Sequence, residues 1–113
     1  MSNKRLLAND LIPGSAIHPG KLLRDELEAR EMKHIELAKK LGIAKNVMSE
    51  IVNGKRNITP ELAVRLEEAL GIKAEFWMHY QVTYEIDRIR IKNKKSIQKA
   101  NISEKAKRQL KSI

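Results

Sequence analysis

Apolar and polar positions alternate along most of this chain with the period of an amphipathic helix. Between residues 18 and 90, apolar side chains recur three and four positions apart, which places them along one side of a helix. We therefore predict an all-α, five-helix domain over residues 18–90. An N-terminal arm (residues 1–17) precedes it, and a C-terminal extension (residues 91–113) that is flexible or forms a short helix follows it.

Proline and glycine mark the ends of the predicted helices. Pro19 and Pro60 suit the first helical position, where the missing N–H is not needed, and Gly71 ends the fourth helix. Ser103 is a candidate N-cap for a last short helix. The five main helices are expected over residues 18–31, 34–41, 44–53, 60–70 and from 73 or 74 to 90.

Residues 33–57 have the pattern of a helix-turn-helix, two short helices joined by a tight turn. Small Ala38 lies inside the first helix, Gly42 lies where the chain must turn, and apolar Met48 falls where the second helix must be buried. Ile51, one turn further on, continues the buried side. Each feature alone is weak, and their combination makes the interpretation specific.

The second helix of this motif has one apolar and one polar side. The polar side consists of Lys45, Asn46, Ser49, Glu50 and Asn53. In a helix-turn-helix such a side enters the major groove, so we expect its first four members to contact bases. Lys45 can donate to guanine and Asn46 can pair with adenine, whereas Glu50 can accept from cytosine N4 or exclude other sequences. The alternative is a solvated polar face on a small helical bundle.

Three further residues of the motif are candidates for phosphate contacts. Lys55 and Arg56 come directly after the second helix, where they can bind the DNA backbone and fix the register. His34 stands at the N-terminal end of the first helix, where anions are favoured. The alternative for each is an ordinary solvated surface residue.

The predicted fifth helix carries more apolar side chains than one buried face requires. They include Phe76, Trp77, Tyr80 and Tyr84, and such an excess on a small domain indicates a partner surface. A homodimer is the natural candidate, because helix-turn-helix proteins commonly read two half-sites through a two-fold axis. Alternatively, all four rings pack inside one subunit.

Composition favours a binding protein over an enzyme. The chain of 113 residues suffices for one small domain with one core. Cysteine is absent, the three histidines are scattered and no Gly-rich phosphate loop is present, so we expect no enzyme activity, no metal and no cofactor. We also expect a cytoplasmic protein, because no apolar run could cross a membrane and the N-terminus lacks a signal-peptide hydrophobic region.

The net charge of +9 is concentrated at the C-terminal end. Residues 1–87 contain 13 basic and 13 acidic side chains, whereas residues 88–113 contain 10 basic side chains and only Glu104. A basic extension on a neutral domain indicates nucleic acid or an acidic partner surface. The alternative is a solvated tail that contributes only to solubility.

Three segments together resemble the HigA branch of the Xre-type, lambda-repressor-like helix-turn-helix proteins. They are HPGKLLRDEL, then ELAKKLGIAKNVMSEIVNGKRNITPELAVRLEEALG, then EFWMHYQVTYEI, and the resemblance covers residues 18–90. The central segment alone would indicate only the broad superfamily. The narrower assignment depends on the HPG before the first helix and on Glu75-Phe76-Trp77 followed by Gln81.

This resemblance implies a dimeric DNA-binding domain that represses its own toxin–antitoxin operon and neutralises a HigB-type toxin, an mRNA-cleaving ribonuclease. In the family, the helix that carries Lys45, Asn46, Ser49 and Glu50 reads bases. Residues that correspond to Asn53, Lys55 and Arg56 lie near the DNA backbone. The residues of this chain therefore predict DNA binding and a dimer, while the toxin follows from the resemblance alone.

The chain departs from the family pattern at two helix starts. Lys33 and Ala44 stand at N-cap positions where members often have Ser or Thr. Toxins of this kind are generally basic, so contact is expected through local acidic surface. That surface comprises Asp25, Glu26, Glu28 and Glu31. A stand-alone Xre-type regulator and, from another class, a protein-interaction module are the alternative functions.

Overall fold

Helices form the regular structure of residues 14–111, the part of the chain that this computed structural model describes, with side chains described for residues 14–97. The helices are α1 (Pro19–Ala29), α2 (His34–Leu41), α3 (Lys45–Val52), α4 (Pro60–Leu70) and α5 (Ala74–Lys111). The predicted all-α, five-helix fold is confirmed for this part. The predicted N-terminal arm lies mostly outside the described residues. None of the helices in residues 14–111 combines the length and hydropathy that a membrane crossing requires.

Two helices begin with a side-chain cap. The His18 Nδ1 accepts a hydrogen bond from the Gly20 N–H at 2.8 Å, and the Thr59 hydroxyl accepts one from the Leu62 N–H at 3.2 Å. Each cap is followed by a proline at the first helical position. These bonds satisfy N–H groups that have no partner inside the helix, which explains why α1 and α4 begin where the sequence predicts.

The two helices of the helix-turn-helix motif, α2 and α3, begin without such a bond. Lys33 and Ala44 both have extended backbone ahead of α2 and α3, and neither side chain makes a capping hydrogen bond. Gly42, with φ of 67°, ends α2 in the left-handed conformation that glycine adopts without strain. The tight turn of the motif therefore depends on Gly42 more than on capping side chains.

One hydrophobic core joins the helices within the compact unit Ile17–Tyr84. Its largest buried side chains are Leu23, Leu27, Leu37, Met48, Ile51, Ile58, Leu66 and Trp77. Trp77 is 0% exposed. The structure thus corrects the prediction of a dimer contact at Trp77, because its ring is enclosed by its own subunit.

The last helix is longer than predicted. Residues 85–111 of α5 belong to a second compact unit, separate from Ile17–Tyr84. The expectations that the fifth helix ends at Arg90 and that a separate helix begins at Ser103 were wrong. The apolar stripe does fade after residue 90, but no glycine or proline occurs in residues 91–111 and most residues there favour a helix.

Candidate nucleic-acid interface

The helix α3 separates its apolar and polar residues as the sequence predicts. Met48, Ile51 and Val52 are buried in the core. On the other side, Lys45, Asn46, Ser49 and Asn53 are exposed, and Glu50 is half-buried. The structure therefore leaves a continuous set of donors and acceptors open along α3, which we call the reading face.

Close backbone contact fixes the start of α1 against the end of α3. A β-carbon on Gly20 would overlap the carbonyl oxygen of Ile51, so only glycine allows this approach. Gly54, with φ of 73°, lies against the His18 ring, and the His18 and Tyr84 rings pack edge-to-face with centroids 4.8 Å apart. The His18-Pro19-Gly20 sequence thus positions α3 in addition to starting α1. The sequence alone predicts only the helix start.

Arg24 on α1 holds the C-terminal end of the reading face. Its Nη2 donates to the Val52 carbonyl oxygen at 2.9 Å and to the Asn53 Oδ1 at 2.6 Å. The Asn53 Nδ2 in turn donates to the Ser49 hydroxyl at 3.2 Å. Sequence reasoning missed Arg24, because nothing local indicates that a basic residue on α1 reaches a helix 28 residues later.

The loop after α3 is fixed at both ends. The Gly54 N–H donates to the Ile51 carbonyl at 3.1 Å and the Lys55 N–H to the Glu50 carbonyl at 2.8 Å, the pair of bonds of a Schellman motif. Further along, the Ile58 N–H donates to the buried side-chain oxygen of Gln81 at 2.9 Å. Gln81, which supported the family resemblance, therefore anchors the loop that carries Lys55.

Two residues predicted to contact DNA contact each other. The Glu50 Oε2 lies 2.7 Å from the Arg56 Nη2 and accepts from the Arg56 Nε at 2.8 Å. Their side chains are 39% and 49% exposed, so the pair contributes at most about 1 kcal/mol to stability. Its main effect is to place the positive charge of Arg56 next to the negative charge of Glu50 on the reading face.

The remaining predicted contacts occupy open surface. Lys45 and Asn46 are the first two residues of α3, and His34 is the first residue of α2. His34 and Lys55 are both exposed. A helix start carries partial positive charge, so an anion near His34 is favoured. Among residues 14–97, no group of three His, Cys, Asp or Glu could hold a metal ion.

Unlike the buried Trp77, the Phe and Tyr side chains of α5 are only partly enclosed. Phe76 is 39% exposed, and Tyr80 and Tyr84 are half-buried. The Phe76 ring lies 4.8 Å from the Tyr80 ring and 5.1 Å from the Trp77 ring, measured between centroids. Further along α5, Val82, Ile86 and Ile89 are exposed.

Comparison with known proteins supports the assignment of a helix-turn-helix. The helix-turn-helix family model matches residues 23–77. Virulence-associated protein A of Dichelobacter nodosus is 42% identical over 74 residues, which are 64% of this chain and 72% of that protein.

Two solved structures share both the fold and the sequence pattern. An addiction module antidote protein of a HigA family from Coxiella burnetii is 40% identical, with a TM-score of 0.67 over 75% of this chain and 94% of that chain. The Pseudomonas aeruginosa antitoxin HigA, solved with the higBA promoter, is 34% identical, with a TM-score of 0.67 over 73% of this chain and 90% of that chain. The chain belongs to the HigA-like family of helix-turn-helix proteins.

Proposed function

We propose that this protein is the antitoxin of a HigB/HigA-type module, which binds operator DNA through α3, represses its own operon and neutralises a ribonuclease toxin. The observation that carries the DNA-binding part is the reading face, an open row of polar side chains on a helix whose C-terminal end is held by the close approach of Gly20 and by hydrogen bonds from Arg24. The related antitoxin that was solved with promoter DNA supports the same role.

Residues at the start of α3 are assigned the base contacts. Lys45 and Asn46 are exposed, and neither is engaged by another side chain within the described residues. The N-terminal residues of a recognition helix are those that reach base edges in the major groove. Ser49 and Glu50 complete the set of base contacts. The phosphate contacts are assigned to Asn53, at the C-terminal end of the reading face, and to His34, Lys55 and Arg56 outside it.

The proposed operator complex contains a homodimer. Phe76, Tyr80 and Tyr84, which follow one another at every fourth position of α5, supply the aromatic part of its interface. Burial of these groups against a second copy would remove apolar surface from water. A two-fold dimer would then place its two α3 helices on half-sites about 34 Å apart, one turn of DNA.

The toxin is expected to contact α1. Asp25 and Glu28 on α1 and Glu31 just after it are exposed, and Glu26 forms an ion pair with Arg30 at 2.8 Å. An acidic surface complements the basic toxins that the family resemblance implies. Because the acidic residues of α1 lie outside the reading face, the two partners use different residues.

DNA binding is tested with the duplex that lies upstream of this protein's own gene. Titration by fluorescence anisotropy should give specific binding. Substitutions Lys45→Ala and Asn46→Ala should each cost about 1–3 kcal/mol at particular base pairs. The matched control is Lys73→Ala, which removes the same charge from an exposed residue before α5. Unchanged affinity in both reading-face variants would contradict the proposed surface.

Toxin neutralisation needs a separate experiment. The tagged full-length protein is recovered from nuclease-treated cells of its source, and stoichiometric companions are identified by mass spectrometry. A small bound protein that arrests growth when expressed alone would support the antitoxin. If the protein returns alone but binds its promoter, it is a stand-alone Xre-type regulator. If it returns with a companion that does not arrest growth and it does not bind its promoter DNA, the protein-interaction module is correct.

A further inference from the structure

We propose that Arg56 determines base preference by positioning the carboxylate of Glu50, and that it is more than a phosphate contact. The inference rests on the proposed binding of DNA through α3. It predicts that Glu50 and Arg56 act as one unit, which prefers cytosine at one position of the operator. Glu50 would be the group that touches the base, and Arg56 would be the positioning residue.

The backbone brings the two residues together. Glu50 is in the last turn of α3, and the hydrogen bond from the Lys55 N–H to its carbonyl folds the chain back across the helix end. Gly54 provides the left-handed conformation that this turn needs. Because Gln81 holds the Ile58 N–H, the segment that presents Arg56 is anchored on both sides.

The ion pair leaves part of the carboxylate available. Two of the three side-chain nitrogens of Arg56, Nε and Nη2, bind the same oxygen, Oε2 of Glu50. A carboxylate can accept up to about four hydrogen bonds on its two oxygens. Oε1 therefore retains the capacity to accept from an amino group, and in the major groove cytosine presents such a donor at N4.

Electrostatics explains why Glu50 needs Arg56 on DNA. An isolated carboxylate in the groove is repelled by the phosphates on either side. A guanidinium in contact with it offsets that charge and limits the orientations of the carboxylate. Loss of Arg56 should therefore remove the preference for cytosine. It should not simply lower the affinity for all DNA sequences by the same factor.

Lys55 provides a matched comparison. It is the adjacent residue in the same loop, it is exposed, and it has the same charge. The ion pairs among the described side chains do not include it. A residue of this kind that contacts only phosphate lowers the affinity for every sequence about equally.

The probe is a duplex selected by the wild-type protein from a pool of double-stranded DNA with about 20 randomised base pairs, enough for two half-sites one helical turn apart. Dissociation constants are then measured for this duplex and for each of its single-base-pair substitutions. The proteins compared are the wild type, Glu50→Ala, Arg56→Gln, Arg56→Lys, the double variant E50A/R56Q, and Lys55→Gln. Both members of the pair are on the surface, so melting temperatures should change by only a few degrees.

The wild type should show at least one position where cytosine is preferred by about tenfold or more. That preference should disappear in Glu50→Ala, which has no acceptor oxygen, and in Arg56→Gln, with no further loss in the double variant. Arg56→Lys, which can still donate to the carboxylate, should keep part of it. Lys55→Gln should lower the affinity for all duplexes and leave the preferences unchanged.

Two results would overturn the inference. If Arg56→Gln weakens every duplex by the same factor, as Lys55→Gln does, Arg56 is a phosphate contact only, and the proposed function stands without the inference. If the wild type selects no consensus from the pool, sequence-specific binding itself fails, and both proposals fall together.

Discussion

The carbonyl oxygen of Ile51 occupies the space where a β-carbon on Gly20 would stand. This contact joins the first turn of α1 to the last turn of α3, the helix with the reading face. Gly20 is therefore required for close approach of two backbones, although it lies inside a helix, where glycine normally costs stability. The position of the reading helix depends on the absence of a side chain.

Substitution Gly20→Ala should destabilise the protein by about 2–4 kcal/mol, since overlap with Ile51 must push α1 and α3 apart. This loss of stability is opposite in sign to the effect of helix propensity, which alone would favour alanine by about 1 kcal/mol. Urea unfolding followed by circular dichroism measures the change. Gly14→Ala, at a position with no atom within 4 Å of the added carbon, is the control and should change stability little.

Loss of Arg24 should weaken both stability and DNA binding. Arg24→Met keeps much of the length of the side chain but removes the hydrogen bonds to Val52 and Asn53, which should cost about 1–2 kcal/mol of unfolding free energy. Asn53 would then be less ordered beside the DNA. Lys21→Met, on exposed surface of the same helix, controls for loss of charge. Equal effects of the two substitutions would argue against the specific role of Arg24.

A side-chain cap at α3 should stabilise the motif. Ala44 already has the extended backbone of an N-cap residue, yet it offers no acceptor. Ala44→Ser should therefore add about 1 kcal/mol to the free energy of unfolding. Thermal melting would detect the gain. Ala29→Ser, at the exposed last residue of α1, has no N-terminal amide to cap and should be neutral or slightly unfavourable. A similar gain at both sites would exclude capping as the cause.

Glu31 has a left-handed backbone, with φ of 56°, and it is the only residue other than glycine with positive φ in the described part of the chain. A side chain in this conformation costs about 1–2 kcal/mol, and glycine avoids the cost. Glu31→Gly should thus raise stability by about 0.5–1 kcal/mol after the greater flexibility of the unfolded chain is included.

The control for this substitution is Glu28→Gly. Glu28 is exposed within α1, so glycine there should lower stability by about 1 kcal/mol. Both changes remove one negative charge from the same surface. Opposite signs in calorimetric melting would confirm that backbone conformation is the cause, and two decreases in stability would contradict it.

The basic extension should affect the salt dependence of DNA binding. Truncation after Arg90 removes eight of the 23 Lys/Arg residues. If these side chains approach phosphates, the plot of log K against log salt should become less steep by about 0.9 for each phosphate that the shortened protein no longer neutralises. Anisotropy titrations at several salt concentrations give this slope. An unchanged slope would leave the extension to a partner other than DNA, or to none.

Much of the fold follows from local features of the sequence. The bounds of α2, the helix starts at Pro19 and Pro60, and the turn at Gly42 each depend on neighbours within a few residues, which is why the pattern predicts them. The same holds for the open polar side of α3. Apolar residues spaced by three and four must enter the core, so polar residues between them must face outward.

The tertiary structure alone decided which polar groups meet. Arg24 reaches Asn53 across 29 positions, and Gln81 reaches Ile58 across 23. Glu50 and Arg56 are closer in sequence, yet their pairing depends on the turn that Gly54 permits. Packing also decided that Trp77 is enclosed by its own subunit, since its hydrophobicity suits a core and an interface equally. The sequence by itself determined helices and their apolar faces because these depend on local spacing; the contacts that shape the reading face exist only after distant helices have packed together.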